Sequence, residues 1–300
     1  LRRGVPYGYK SGIFQFEGWT AMKGCREMKV NSLEDCILIM ALYRPSTLNT
    51  GYTQKFLDRR FGKEAVSYPH EMFEDVLKDT LGLVVYQEQV LQMLRVIGIP
   101  DDNLNQFLSA IKVKHGAGGY SKKSTATFER NRQLVFDLCM SKGMSKAVSE
   151  QVWENFQGFH AYGFNKAHAT AYGMLGYETA YMKTNYPKLF MSALLETTAG
   201  TPKEKEYIKE AQRIGIKILA PDVNKSGVLW KLDSEGIRKG LLSIDGIGMS
   251  VATGLADNAP YKDFEDMIER LPARVLSGAS QYKKDGTLKG TADKLRKSGM

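Results

Sequence analysis

The sequence predicts a mainly α-helical protein with short β elements, an α+β fold. Apolar residues recur every three or four positions through most of the chain, as they do between Leu33 and Ala41. The apolar runs between these helical segments are short and end near glycine, proline or polar residues, as in IKILAPDVNKSGVLWKLD. The 300 residues are enough to bury a sizeable core without disulfides or metals, in one large domain or two ordinary ones.

Composition limits the function classes. With 42 basic and 33 acidic residues the net charge is +9, which suits a polyanionic partner, although basic tails or plain solubility give the same numbers. Cys25, Cys36 and Cys139 are widely spaced and predict neither a disulfide frame nor a zinc site, so we expect a reducing cytoplasm. No apolar run reaches about 18 residues, and we therefore expect no membrane partner.

The first 60 residues predict a strand and a helix. The run IFQF in GIFQFEG is typical of a strand, and NSLEDCILIMAL is typical of a helix that is capped by Asn31 or Ser32. The helix should end at Arg44 and Pro45, because the residue before proline avoids helical angles. Arg44 is a phosphate contact or, equally, a surface arginine at a helix end.

The next segment predicts helices around a buried strand, LGLVVY. Gln87 and Gln89 follow this strand, and we interpret them as satisfying local backbone groups rather than binding a ligand. Farther on, the loop KVKHGAGGYSKKST mixes glycines with lysines, among them Lys112, Lys114, Lys122 and Lys123. Such a loop closes over a triphosphate or grips a DNA backbone, or it is a solvated connection.

The stretch from Phe156 to Pro187 carries the strongest signal. A helix from about Lys166 to Thr184 should follow an Asn165 N-cap, with small residues on one face that allow close approach. Lys166 and His168 lie in its first turn, where unpaired N–H groups and the helix dipole favour an anion. The alternative is a solvated lysine beside a partly buried histidine.

The last hundred residues predict short strands, a helix-hairpin-helix at about 240–258 and a basic tail. In GLLSIDGIGMSVATG, Gly246 and Gly248 would let the hairpin backbone approach a phosphate and direct N–H groups at it. An ordinary tight turn explains the same glycines.

Four strings give the chain a family resemblance. In chain order they are GIFQFEG followed by ALYRP, VVYQEQV, YGFNKAHATAYGMLGYETAYMKTNYP, and PDVNKS. Similar strings stand in the same order in bacterial C-family replicative DNA polymerases, the polymerase III alpha subunits. The chain resembles this family over about residues 11–270. The resemblance implies a palm-to-fingers junction at 1–60, a helical fingers domain at 61–200, and a short-strand lobe with the helix-hairpin-helix at 201–300. Two departures stand out: Leu108 and Ser109 replace an arginine pair of the family, and RPST replaces RPGP.

The resemblance also implies ligands and site residues. The family extends primer-template DNA with incoming dNTP, using Mg²⁺ held by palm carboxylates that lie N-terminal to the matched region. We therefore predict no catalytic residue and no metal ligand in this chain, because the palm is absent from it. The predicted nucleotide-binding residues are Arg44, Lys112, Lys114, Asn165, Lys166 and His168. The predicted DNA-binding residues are Lys122, Lys123, Gly246 and Gly248.

The expected function is the fingers and duplex-binding part of a polymerase III alpha-like replicase, inactive in primer extension on its own. Expected partners are dNTP, primer-template DNA and a palm-bearing segment or subunit, with a sliding clamp as a further candidate, in a bacterial or phage-infected cell. The chain begins with Leu1, and we expect a fragment or a split or viral version of the polymerase. The alternatives are a non-catalytic DNA-binding protein and a structural subunit, each derived from a polymerase.

Overall fold

The computed structural model describes residues 11–104, 107, 122–271 and 290–297. Helices dominate and the strands are short, so the predicted α+β class is confirmed. Contacts divide the chain into two compact units, one of Phe14–Glu178 and one that begins at Thr179 and includes residues 11–13. The functional boundaries near residues 60 and 200 stay a prediction. Within the described ranges, no helix combines the length and hydropathy of a membrane span.

The first unit is built from helices. In chain order they are α1 (Trp19–Glu27), α2 (Leu33–Leu42), α3 (Pro45–Asn49), α4 (Tyr52–Arg60), α5 (Glu74–Leu77), α6 (Gln87–Ile97), α7 (Lys122–Ser141), α8 (Lys146–Tyr162) and α9 (Lys166–Asn185), of which the residues from Thr179 onward are counted in the second unit. Short 3₁₀ turns, Glu71–Phe73 and Lys78–Thr80, flank α5. The main core lies among α5, α6, α7 and α8, where Phe73, Met93, Leu94 and Phe156 are fully buried.

Helix caps in this unit follow the sequence closely. The Ser32 hydroxyl accepts a hydrogen bond from the Asp35 N–H at 3.1 Å, and the Ser145 hydroxyl accepts one from Val148 at 3.3 Å. These caps confirm the predicted starts of α2 and α8, because a cap joins residues only three apart in sequence.

One predicted helix start is wrong. Helix α7 begins at Lys122 rather than near Phe128, so Lys122 and Lys123 lie in its first turn and not in a loop. The segment KKSTATF contains no glycine or proline that would stop the helix from extending toward its N terminus.

The strand predicted at IFQF is also wrong. Residues 13–16 form a turn in which Gln15 has a φ of 61°, a left-handed conformation that interrupts an extended chain. Ile13 and Phe16 are buried, but no strand pairs with them within the described residues. The apolar pattern therefore reflects burial of a turn.

The LGLVVY segment is buried, yet it forms only one bridge instead of a strand. Tyr86 pairs in parallel with Phe164. The Gln89 side-chain oxygen accepts hydrogen bonds from the N–H groups of Val85 and Tyr86, both at 2.9 Å. The predicted local role of Gln89 is thus confirmed, because its side-chain oxygen accepts the backbone hydrogen bonds that a neighbouring strand would otherwise accept.

The second unit combines helices with a small sheet. Its elements are α10 (Pro187–Thr197), α11 (Pro202–Arg213), β1 (Ile218–Leu219), β2 (Lys231–Leu232), β3 (Ile237–Arg238), a 3₁₀ turn (Leu241–Ser243), α12 (Met249–Asn258), α13 (Phe264–Arg270) and α14 (Gly290–Lys297). The strand order is β1-β3-β2, with β3 parallel to β1 and antiparallel to β2. The two predicted strands exist, but they pair through β3, which the sequence pattern did not reveal.

A buried ion pair fixes the packing inside the second unit. The Lys183 ammonium lies 2.5 Å from Glu210 Oε1 and donates to the Ser11 carbonyl at 2.7 Å. Arg213 donates to the other oxygen of Glu210. Both Lys183 and Glu210 are buried, so replacing Glu210 would bury the Lys183 charge without its carboxylate, a loss of about 3–5 kcal/mol.

Candidate functional site

A cavity of about 450 Å³ lies in the first unit beside the N-terminal part of α9. It is lined by the turn before α1, the start of α1, the end of α2 and the first turns of α9. The lining residues are Gln15, Gly18, Trp19, Thr20, Ala21, Ile39, Met40, Tyr43, Arg44, Phe164, His168 and Tyr172. The fold thus brings together Arg44 and His168, which are far apart in sequence.

Three aromatic rings in contact with one another form one wall of this cavity. The Arg44 guanidinium carbon lies 4.3 Å from the Phe164 ring centroid. Phe164 meets His168 edge-on at 5.4 Å, and the His168 and Tyr172 centroids are 4.2 Å apart. The wall therefore presents flat aromatic surfaces next to a cation.

The Arg44 guanidinium stays charged although it is partly buried. Arg44 Nε donates to the Ala41 carbonyl at 2.9 Å, and burial lowers the Arg44 pKa. Because the ordinary value is far above neutrality, the guanidinium remains protonated. For Tyr43, which also lines the cavity, burial and a hydrogen bond to Glu27 raise the pKa, so its hydroxyl stays neutral and donates.

Backbone pairing places Phe164 in the wall. Its N–H donates to the Val85 carbonyl at 3.2 Å, and the Gln87 N–H donates to the Phe164 carbonyl at 2.9 Å. Asn165 then caps α9, its side-chain oxygen accepting from the His168 N–H at 2.7 Å. The predicted cap is confirmed, and it orients the first turn that carries His168.

The small residues of α9 set its distance from neighbouring segments, as predicted. A Cβ at Gly173 would lie 2.8 Å from an Ile37 side-chain carbon, and one at Gly176 would lie 2.3 Å from the Phe16 ring. The helix backbone is thus in direct contact with α2 and with the turn that precedes α1.

The Lys166 N–H at the start of α9 already has an acceptor within the protein, and the predicted nucleotide contact of Lys166 stays a prediction. Both Glu88 carboxylate oxygens accept from the Lys166 N–H, at 3.0 and 2.8 Å. Glu88 also lies in the first turn of α6, so two helix dipoles favour its charge. The Lys166 ammonium lies 5.6 Å from the Tyr86 ring centroid rather than on the cavity wall.

Sequence reasoning missed Glu88 and Trp19. Glu88 is 78 residues from its partner, and its only signal was its place in the string VVYQEQV. Trp19 lines the cavity and is 72% exposed, and the sequence carries no signal of either property. Lys112, Lys114, Leu108 and Ser109 lie outside the described residues.

The predicted hairpin lies in the second unit. Its first element is the three-residue 3₁₀ turn rather than an α-helix, and Gly246 has a φ of 78°, a conformation that favours glycine. Gly248 is the N-cap of α12, where no side chain accepts a cap hydrogen bond. A Cβ at Gly248 would meet nothing within 4 Å. No side chain caps this N terminus, and in this sense we call it open.

The described residues contain no group of three His, Cys, Asp or Glu side chains that would hold a metal ion. They do not fit the Mg²⁺ site of a polymerase, and no chemical step is assigned to them through a metal.

Comparisons with known proteins identify the family. Residues 6–131 match the bacterial DNA polymerase III alpha subunit finger domain, and residues 215–281 match the helix-hairpin-helix motif. The chain is 34% identical to the DNA polymerase III subunit alpha of Borreliella burgdorferi over 277 residues, which are 90% of this chain and 23% of that protein. It is 33% identical to the protein of the same name from Bacillus subtilis, over 90% of this chain and 24% of that protein.

A third relative, the DNA polymerase III subunit alpha of Aquifex aeolicus, is 33% identical over 87% of this chain and 22% of its own length. The chain thus spans less than a quarter of these curated relatives. The matches cover the cavity-lining residues from Gln15 to Arg44 and the hairpin from 244 to 248, and the chain is similar to the bacterial DNA polymerase III alpha subunits over their finger domain and helix-hairpin-helix motif.

Proposed function

We propose that this chain is the fingers and duplex-binding part of a DNA polymerase III alpha-like replicase, which binds incoming dNTP and primer-template DNA. The observation that carries the proposal is the cavity that joins Arg44 to His168 beside an aromatic wall. A guanidinium suits a phosphate oxygen, and flat rings suit a nucleotide's apolar faces. Lys112 and Lys114 are proposed to add charge to the triphosphate contact.

The hairpin is the proposed duplex contact. Its open α12 N terminus supplies backbone N–H groups to a phosphate without reading sequence. Lys122 and Lys123, at the start of α7, are proposed as further phosphate contacts. The net charge of +9 supports a polyanionic partner.

Nucleotidyl transfer is proposed to need a palm-bearing segment or subunit that supplies carboxylates for Mg²⁺. In the family this ion would activate the primer hydroxyl and stabilise the leaving pyrophosphate. This chain's own residues would hold the nucleotide, orient it and exclude water from it. The exposed apolar side chains of Met174, Leu175 and Tyr177 on α9 support docking of such a segment.

The first test compares two ligands in two variants. His168→Ala and Lys166→Ala should each weaken binding of a deoxynucleoside triphosphate by about tenfold, the cost of one charged contact, and change duplex affinity less. Titration calorimetry with dATP and fluorescence anisotropy with a labelled duplex measure the two affinities. Equal losses for both ligands, with folding intact, would contradict the assignment.

A second arm separates the alternatives. Addition of a palm-bearing polymerase segment should make ternary affinity depend on the triphosphate, and the chain without it should not extend a primer with magnesium. Steeply salt-dependent duplex binding with no triphosphate effect would favour a non-catalytic DNA-binding protein. Palm binding without any DNA or nucleotide effect would favour a structural subunit, as the exposed α9 face allows.

A further inference from the structure

The exposure of Trp19 is unusual. The chain has three tryptophans, and Trp153 and Trp230 are 2% and 4% exposed, whereas Trp19 is 72% exposed. Tryptophan is highly buried on average, because its indole has a large apolar surface. Packing within the first unit leaves most of this indole in water, and a stacking partner would cover it.

The surroundings of Trp19 specify what that partner would be. The cavity beside it is about 450 Å³, within the range of small-ligand sites. Phe164, His168 and Tyr172 supply flat rings, and the Arg44 guanidinium lies against Phe164. Gln15 and Thr20 add groups that both donate and accept hydrogen bonds. A planar heteroaromatic ring with polar edges fits this set better than an aliphatic chain does.

Charge near the indole adds a second constraint. The Lys23 ammonium lies 5.8 Å from the Trp19 ring centroid, one helical turn along α1. It is also 3.7 Å from Glu27, an exposed pair that salt screens and that is weak. An aromatic platform with a neighbouring cation is the combination that binds nucleic-acid units through base stacking and phosphate attraction.

We infer that Trp19 is a nucleobase-stacking residue at the rim of this cavity. The base belongs to a free nucleotide or to an unpaired nucleotide of a single strand, which share this chemistry. The inference rests on the proposed function, since it assigns a base contact to the site for which phosphate contacts are proposed. It adds a residue that neither the family strings nor helix capping single out.

Tryptophan fluorescence tests the inference directly. Trp19 is the solvent-exposed fluorophore, so a base that stacks on it should quench emission that the two buried indoles do not lose. The probes are dATP, inorganic tripolyphosphate as its base-free match, a single-stranded oligodeoxyadenylate, and an abasic oligonucleotide of the same length. Quenching by dATP identifies the free nucleotide as the source of the base, and quenching by the oligodeoxyadenylate alone identifies the single strand.

Variants then measure the contribution to affinity. Trp19→Ala should weaken binding of the base-carrying probe by about tenfold, as loss of one stacked base predicts, while Trp19→Phe retains most of the affinity. Affinity for tripolyphosphate should be the same in all three proteins. Phe61→Ala is the matched control, because Phe61 is 42% exposed with Lys29 at 5.2 Å from its ring centroid, and it does not line the cavity.

Two results would overturn the inference alone. One is wild-type affinity of Trp19→Ala for both base-carrying probes, and the other is an equal loss for dATP and tripolyphosphate. If the proposed function is wrong, the unmodified protein will bind none of dATP, tripolyphosphate and duplex. That result would contradict the inference as well. Circular dichroism of each variant establishes that the fold is retained.

Discussion

The sequence suggests an anion site at two helix N termini, and the structure caps these termini in opposite ways. At α9 the Glu88 carboxylate accepts from the Lys166 N–H, and Asn165 accepts from His168. At α12, Gly248 provides no side-chain acceptor, and the space next to its Cα is empty. A helix dipole alone therefore does not predict a phosphate site. A phosphate can bind there only if no carboxylate of the protein already accepts from the same backbone N–H groups.

The largest effect should come from closing the open terminus. In Gly246→Val, a β-branched residue must adopt a φ of 78°, which costs at least about 1–2 kcal/mol of stability and distorts the hairpin. Duplex affinity should fall by at least about tenfold, because backbone N–H groups lose their approach to a phosphate. Denaturant unfolding and fluorescence anisotropy measure the two effects.

Gly248→Ala is the control for that variant. Its added methyl group has room, and its φ of −89° suits any residue, so we expect a stability change below about 1 kcal/mol. If Gly246→Val bound duplex as the unmodified protein does, the open N terminus would not be a DNA contact.

A smaller and opposite effect is expected at the closed terminus. Glu88→Gln removes the charge that competes with a bound anion, so affinity for tripolyphosphate should rise about two- to fivefold. Stability should fall by about 0.5–1 kcal/mol, because the helix dipoles lose their counter-charge. Isothermal calorimetry and chemical unfolding provide the two numbers.

Glu154→Gln makes the same charge change at an exposed position on α8 outside the cavity lining and should alter neither quantity. Unchanged anion affinity in Glu88→Gln would mean that the carboxylate is only a cap and does not compete with a ligand.

The smallest effect concerns salt. A lysine that binds a phosphate releases a counterion from the DNA, whereas an uncharged backbone N–H group does not. Lys123→Ala should therefore lower the slope of log affinity against log salt by about one. Gly246→Val should leave the slope nearly unchanged. Lys142→Ala, an exposed lysine just beyond the other end of α7, is the matched control. A slope that falls equally in all three variants would reject the distinction between the two kinds of contact.

Local rules predicted much of the fold and part of the site. Ser32, Ser145 and Asn165 each cap a helix through a bond to a residue three positions ahead, which a short window of sequence contains. Helix α9 was predicted to within one residue of its observed end. Periodicity likewise gave the helical character of both units.

The remainder depended on partners far away in the chain. Nothing near Lys166 in sequence announces Glu88, and the middle strand β3 is defined by two short neighbours that its own sequence does not contain. The IFQF pattern was misread because burial of Ile13 and Phe16 in a turn produces the same letters as a half-buried strand. Strand pairing and burial are separate properties, and a short apolar run indicates only burial.

Gly176 has a mechanical consequence for the cavity. Phe16 rests on the bare backbone of α9, and the chain runs from there through Gly18 to Trp19 within the same unit. Phe16 supplies the only side chain of this close contact, so a methyl group at position 176 would have to displace the Phe16 ring or the turn that carries it. Gly176→Ala should therefore shift the turn that contains Phe16 and, with it, the start of α1 at Trp19.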